Sequence, residues 1–346
     1  MMLAFVTGST GLLGNNLVRE LLRQGIEVRA LARSREKAAR QFAGLPVEIV
    51  EGDLQDIGGF AAALQGCDAL FHTAAFFRDN YKGGSHWSSL KSVNVDGTAA
   101  LLEAAWKAGI RKAVHTSSIA VLDGPPGQAI DETMERLEEN ADDYYRSKIL
   151  SDRAVFDFLK SHPDMSIPIV LPGWMFGPGD LGPTSSGQVV LDFVRQKLPG
   201  RIPGSFSIVD ARDVARIEIA ALLHGQSGRR YLAAGRHMNM DALFPLLEQV
   251  SGVPAPERQI SLPLLKLIAL ANEVYGKLTG RPILLSNATV RLIEREQNRT
   301  HFDHARTVGE LKGSFRPVRE TLWDVVDWYR RQGLLQPAAS PLARPA

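Results

Sequence analysis

Nine residues near the start of the chain, VTGSTGLLG at positions 6–14, constrain its fold more than any other stretch. Glycines stand at 8, 11 and 14, in a Gly-x-x-Gly-x-x-Gly spacing, directly after the apolar run LAFV. A buried strand that breaks through such a loop into a helix asks for glycine on three counts: a tight turn, close backbone approach to a pyrophosphate, and close packing of helix on strand. A lone glycine triplet is a weak signal, but here it sits in the required strand-turn-helix context. Gly8, Thr10, Gly11, Leu12, Leu13 and Gly14 are therefore candidate cofactor contacts; the plainer alternative is a helix-packing turn without a ligand.

The rest of the first half repeats the unit. Short apolar runs at 3–8, 27–33, 47–53, 68–75, 111–118 and 166–173 read as strands, and amphipathic stretches at 15–25, 60–67, 94–109 and 142–162 as helices. Regular strand-helix alternation of this kind implies right-handed βαβ crossovers, hence the α/β class and a doubly wound parallel sheet of Rossmann type. After Gly173 the chain is rich in Gly and Pro through residue 187, which reads as loop, and beyond Arg230 it turns mostly helical with Pro breaks. We expect residues 1–172 and 205–234 to form the nucleotide-binding domain, 173–204 and 235–335 a smaller, mostly helical substrate lobe, and 336–346 a flexible tail.

With 346 residues the chain can bury a large core, and a net charge of +2 gives no reason to expect nucleic acid. The single cysteine, Cys67, leaves no internal disulfide and no cysteine-based metal cluster, so no metal is expected and the setting is read as cytoplasmic. No stretch approaches the ~20 apolar residues that a membrane span needs.

The glycine spacing, in this context, resembles the short-chain dehydrogenase/reductase superfamily, specifically its extended branch of epimerases, dehydratases and dihydroflavonol 4-reductase-like enzymes. The resemblance covers nearly the whole chain and is strongest over residues 3–180. A dinucleotide fold usually carries an acid at the end of its second strand, to bind the ribose 2′-hydroxyl of NAD. Here that position holds Arg33, with Ser34, Arg35 and Lys37 following. A carboxylate would repel a 2′-phosphate that a guanidinium can grip, so NADP(H) is favoured over NAD(H). By the resemblance, Asp53 with Leu54 flanks the adenine, Ala74 and Ala75 pass beneath the cofactor, Pro172 matches the family's cofactor-side segment, and Gly173 and Trp174 pass near the nicotinamide amide.

In DDYYRSK, residues 142–148, Tyr144 and Lys148 are four apart and share a helix face. A free tyrosine is a poor base at neutral pH, and a neighbouring ammonium makes its phenolate easier to form. Tyr-x-x-x-Lys is the catalytic motif of the family that the chain resembles, which selects Tyr144 over Tyr145. The same resemblance makes Ser118 (with Ser117 as runner-up) the hydroxyl that orients the reacting oxygen, and gives Asn94 a structural or proton-relay role. The implied chemistry is transfer of hydride between nicotinamide and a carbonyl or alcohol, with Tyr144 moving the proton and Lys148 holding the nicotinamide ribose.

The substrate is written less plainly. Phe76, Phe77, Tyr81, Trp87, Tyr145, Trp174, Met175 and Phe176 form an apolar, aromatic candidate lining, suited to a small, partly hydrophobic carbonyl compound. Where nucleotide-sugar epimerases carry an arginine for the diphosphate, this chain has Phe206 and Ser207, with Arg201 and Arg212 as possible substitutes. A nucleotide-sugar epimerase or dehydratase is the second reading, and a non-catalytic NADP(H) sensor the third. Family members commonly dimerise through the helix bearing the Tyr/Lys pair, so a homodimer is expected.

Overall fold

The computed structural model describes residues 2–77, 86–279 and 286–336. Its first half alternates β1 (Leu3–Thr7), α1 (Leu12–Arg23), β2 (Glu27–Ala32), α2 (Arg35–Gln41), β3 (Val47–Glu51), β4 (Ala69–His72), α3 (Trp87–Leu90), α4 (Gly97–Lys107), β5 (Lys112–Thr116), α5 (Asp143–Ser161) and β6 (Ile169–Pro172). The second half contains β7 (Trp174–Phe176), α6 (Ser185–Val194), β8 (Ser205–Asp210), α7 (Ala211–His224), β9 (Arg230–Ala233), β10 (Arg236–Asn239) and α8 (Met240–Ser251). It closes with α9 (Leu262–Thr279), α10 (Asn287–Arg295), α11 (Ala305–Leu311) and α12 (Val318–Arg331).

Seven parallel strands form the main sheet, in the order β3-β2-β1-β4-β5-β6-β9. The order reverses direction between β1 and β4, and a doubly wound sheet opens a crevice at the carboxyl ends of its strands at that point. Alternation along β1 shows why both faces are covered: Ala4 and Val6 enter the core beneath α1 and α7, while Phe5 enters the opposite core with α4 and α5. Leu13, Leu17 and Leu21 fall one turn apart on the buried face of α1. A second sheet, β10-β8-β7, belongs to the smaller lobe, whose core joins Phe176, Phe193, Phe244, Leu322 and Tyr329.

Several expected boundaries shift. Residues 60–67 hold only a short 3₁₀ turn, Ala61–Leu64, directly after another, Ile57–Gly59, that Asp56 caps through the Gly59 amide. The segment before α4, Lys91–Asp96, winds as a π-turn. Trp174–Phe176 is a strand rather than loop, since its three apolar residues pair with Ile208–Asp210 in the small sheet. Residues 205–210 likewise join that small sheet, while 211–234 pack on the large one. Between β6 and β7 only Gly173 intervenes, at a crossing so tight that a Cβ there would lie 2.5 Å from the Ala234 carbonyl and 2.6 Å from that of Ser207. Residues 337–346, expected as a tail, lie outside the described residues.

Candidate active site

The glycine loop closes with the Gly11 amide donating to the Gly8 carbonyl at 2.9 Å. Gly8 holds φ +65°, and a Cβ on Gly14 would lie 2.2 Å from the Gly8 carbonyl, so both close approaches require glycine. Asp142, Thr184, Asp210 and Asn239 cap α5, α6, α7 and α8 with side-chain acceptors, whereas α1 starts at Gly11 with no side-chain cap. Its first amides are thus left to an anion in the crevice.

One large cavity of about 2030 Å³ runs from this loop, across the ends of the central strands, into the smaller lobe. Every residue proposed above for the cofactor lines it: Gly8, Thr10, Gly11, Leu12, Leu13, Gly14, Arg33, Asp53, Leu54, Ala74, Ala75, Tyr144, Lys148, Pro172 and Gly173. Arg33 is exposed at the rim, with Lys37 and Arg40 beside it, while Arg40 is already paired with Glu36. The loop and the uncapped helix are together suited to a dinucleotide.

Past this groove, Ser118 and Tyr144 line the cavity together. Ser118 lies just beyond β5, and its hydroxyl accepts from the Ala120 amide at 3.1 Å. Burial pushes the Tyr144 phenol up to about 12, and the neighbouring Ser118 hydroxyl draws it back. Ser117, the runner-up, is 4% exposed, with an orphaned hydroxyl. Lys148 comes one helical turn after Tyr144, is 3% exposed, and donates to the Thr116 carbonyl at 2.8 Å instead of to the phenol. Burial drives its ammonium down to about 8.

Asn94 is buried behind the cavity. Its Oδ1 accepts from the Phe76 amide at 2.7 Å, while its Nδ2 donates to the Phe76 carbonyl at 3.1 Å and to Ser147 Oγ at 3.0 Å. Ser147 in turn donates to the Tyr144 carbonyl at 2.7 Å, so Asn94 ties the segment that follows β4 to the start of α5.

Among the aromatics, Phe76, Phe77, Tyr145, Trp174 and Met175 line the cavity. Phe176 does not: it is 1% exposed and sits in the lobe core, edge-on to Trp174. Trp87 also turns aside, lying under the Arg146 guanidinium at 4.5 Å. Tyr81 lies outside the described residues. Phe206 stacks on Trp174 at 4.6 Å, and beyond it Phe244, Ile260, Leu265 and Ile293 carry the apolar lining into the lobe. Neither substitute arginine reaches in: Arg201 pairs with Asp241 at 3.2 Å, and Arg212 with Asp210 at 2.7 Å and Asp324 at 2.6 Å.

Two residues that the sequence did not single out stand behind Lys148. Thr116 donates through its hydroxyl to Glu218 at 2.5 Å, and Glu218 is fully buried. The one available signal was a charge set directly between two isoleucines, Ile217 and Ile219.

Residues 4–239 match the family model described as NAD dependent epimerase/dehydratase family. A sterol demethylase protein B from Methylococcus capsulatus is 34% identical over 96% of this chain and 100% of its own. A putative dihydroflavonol 4-reductase from Synechocystis is 32% identical over 96% of both chains. The solved structure of gox2253 superposes with a TM-score of 0.81 at 29% identity, covering 97% of this chain and 100% of that one.

Proposed function

The chain belongs to the NAD-dependent epimerase/dehydratase family, within the extended short-chain dehydrogenases/reductases, and is an NAD(P)-dependent oxidoreductase; from that premise we propose that it uses NADP(H) to interconvert a carbonyl and an alcohol on a hydrophobic substrate. The observation that carries the reading is that Ser118, Tyr144 and Lys148 line one wall together where the dinucleotide groove opens into an apolar cavity.

Bound in the groove, the nicotinamide supplies or accepts the hydride. Ser118 orients the carbonyl oxygen, and Tyr144 gives that oxygen its proton on reduction and takes it back on oxidation. Lys148 places a positive charge behind the reacting centre. Arg33 at the rim favours a 2′-phosphate. The cavity, cofactor groove included, exceeds the roughly 300–1,000 Å³ of most ligand sites, which suits a substrate bulkier than a simple aldehyde. The likeness to a sterol demethylase protein B supports the same choice.

The nucleotide-sugar reading loses ground because Phe206 stands where a diphosphate-binding cation is needed and both Arg201 and Arg212 are held in ion pairs. The sensor reading has no use for a complete proton-transfer set. A cytoplasmic homodimer with α5 at its interface accompanies the proposal and is tested by sedimentation.

The direct test is a panel of ketones and aldehydes, graded from small to polycyclic, with NADPH oxidation followed at each. Turnover of bulky apolar ketones is expected. Tightly retained cofactor, no NADPH consumption and interconversion of sugar nucleotides would move the assignment to an epimerase.

A further inference from the structure

The ammonium of Lys148 is buried, and a buried charge is tolerated only when matched by an opposite one. Two carboxylates act on it, Asp152 on its own helix and Glu218 on α7. Asp152 is already engaged: Arg230 reaches it at 3.1 Å, and His115 lies at 3.6 Å. Glu218 is not. Its Oε1 accepts from the Thr116 hydroxyl, its Oε2 is buried with no hydrogen-bond partner, and among the described residues it makes no ion pair. The remaining titratable groups near the ammonium are Tyr144 on α5, His72 on β4 and His115 on β5, and burial holds both histidines in their neutral form.

Thr116 therefore serves both sides, its carbonyl receiving Lys148 and its hydroxyl binding Glu218, two residues before Ser118. We infer that Glu218 is a positioning residue for Lys148, a counter-charge presented from α7 through Thr116 that keeps the lysine an ammonium facing the cleft. Burial drives Lys148 down, to about 8, and Glu218 up, to about 8, while the attraction between ammonium and carboxylate opposes both shifts, so gain or loss of a proton on one changes the other. What the ammonium does for proton transfer rests on the reductase reading; its coupling to Glu218 does not.

The test is a pH titration of Lys148 by NMR on full-length protein labelled at lysine Cε, the resonance being assigned from its loss in Lys148→Met. Without the carboxylate the ammonium is less favoured, so Glu218→Gln should lower the midpoint by about one pH unit or more, and Glu218→Asp, which keeps the charge, should recover most of that shift. A midpoint unchanged in Glu218→Gln overturns the inference and leaves Asp152 as the sole counter-charge. If Glu218→Gln does not fold, Thr116→Val cuts the same link, and an unmoved midpoint there overturns it equally. With a carbonyl substrate in hand, the alkaline limb of kcat/KM should move down with the NMR midpoint. A shifted midpoint beside an unshifted activity profile would retract the catalytic use of Lys148 while the coupling to Glu218 stands.

Discussion

Phe77 meets Tyr144 edge-on, with ring centroids 4.7 Å apart and the planes inclined at 62°. The edge-to-face contact braces the phenol from the substrate side, opposite the covalent constraint of α5. Such pairs contribute about 0.5–1.5 kcal/mol. Phe77→Ala should therefore lower kcat/KM roughly 3- to 10-fold, through KM as well as kcat, with NADPH affinity unchanged. Steady-state kinetics on the best ketone of the panel would show it; a loss of NADPH affinity would mean that Phe77 belongs to the cofactor wall.

Tyr144→Phe removes the proton carrier and leaves the ring that Phe77 and Tyr145 contact. Loss of a positioned acid or base costs about 10²–10⁴ in rate. We expect kcat to fall by that much with the melting temperature and NADPH binding held, and full turnover by the variant would remove Tyr144 from the mechanism.

At the rim, Arg33→Asp exchanges a guanidinium for a carboxylate where the 2′-phosphate is expected. NADPH affinity should fall by at least about tenfold, as befits loss of a charge-assisted contact worth roughly 1.5–3 kcal/mol, while NADH affinity holds or rises. Calorimetric titration with each dinucleotide separates the two, and equal weakening would cancel the NADP(H) preference.

Gly14→Ala would drive a methyl to 2.2 Å from the Gly8 carbonyl. Backbone cannot yield cheaply there, so the loop must open. We expect a stability loss of about 1–3 kcal/mol, the range for overpacking, together with severely weakened binding of either dinucleotide. Retention of both would show that the loop can shift as a unit.

Acid should destabilise the fold through His72. The imidazole bonds Thr7 Oγ1 at 2.9 Å and Thr98 Oγ1 at 2.9 Å, and burial holds its pKa well below the usual 6.5. Below pH 6.5 the unfolded chain then binds a proton that the folded chain refuses, so stability falls as pH drops. The contribution approaches about 1.4 kcal/mol per pH unit for one such group. In melts between pH 7.5 and about 5, His72→Gln should begin less stable than the parent and close the gap as pH falls. A constant gap would show that His72 does not titrate on unfolding.

Much of the dinucleotide groove was legible in the sequence, because strand-turn-helix periodicity and glycine placement are local properties. Gly8 and Gly14 needed only their neighbours in the chain to be picked out, whereas the choice of Tyr144 with Lys148 rested on the family motif. What could not be read that way depends on long-range packing. Phe176 has the composition of a pocket residue, yet it lies behind Trp174 because β7 pairs with β8, more than thirty residues further on. Glu218 looks like any solvent-facing charge until α7 is laid against β5, and Asn94 becomes more than a helix-start residue only when Phe76 is folded back onto it.

The single-residue step at Gly173 has a mechanical meaning. β6 and β9 are neighbours in the large sheet, and each runs almost directly into the small one, at Gly173 and at Ala234–Gly235. The two lobes are thus spliced along one short line in the wall of the cleft. A lever pivoted there moves least at its fulcrum and most at its tip. Any rocking of the smaller lobe would swing α9 and α10, which line the cavity's other end, while Ser118 and Tyr144 keep their spacing, so movement at that end need not disturb the pair.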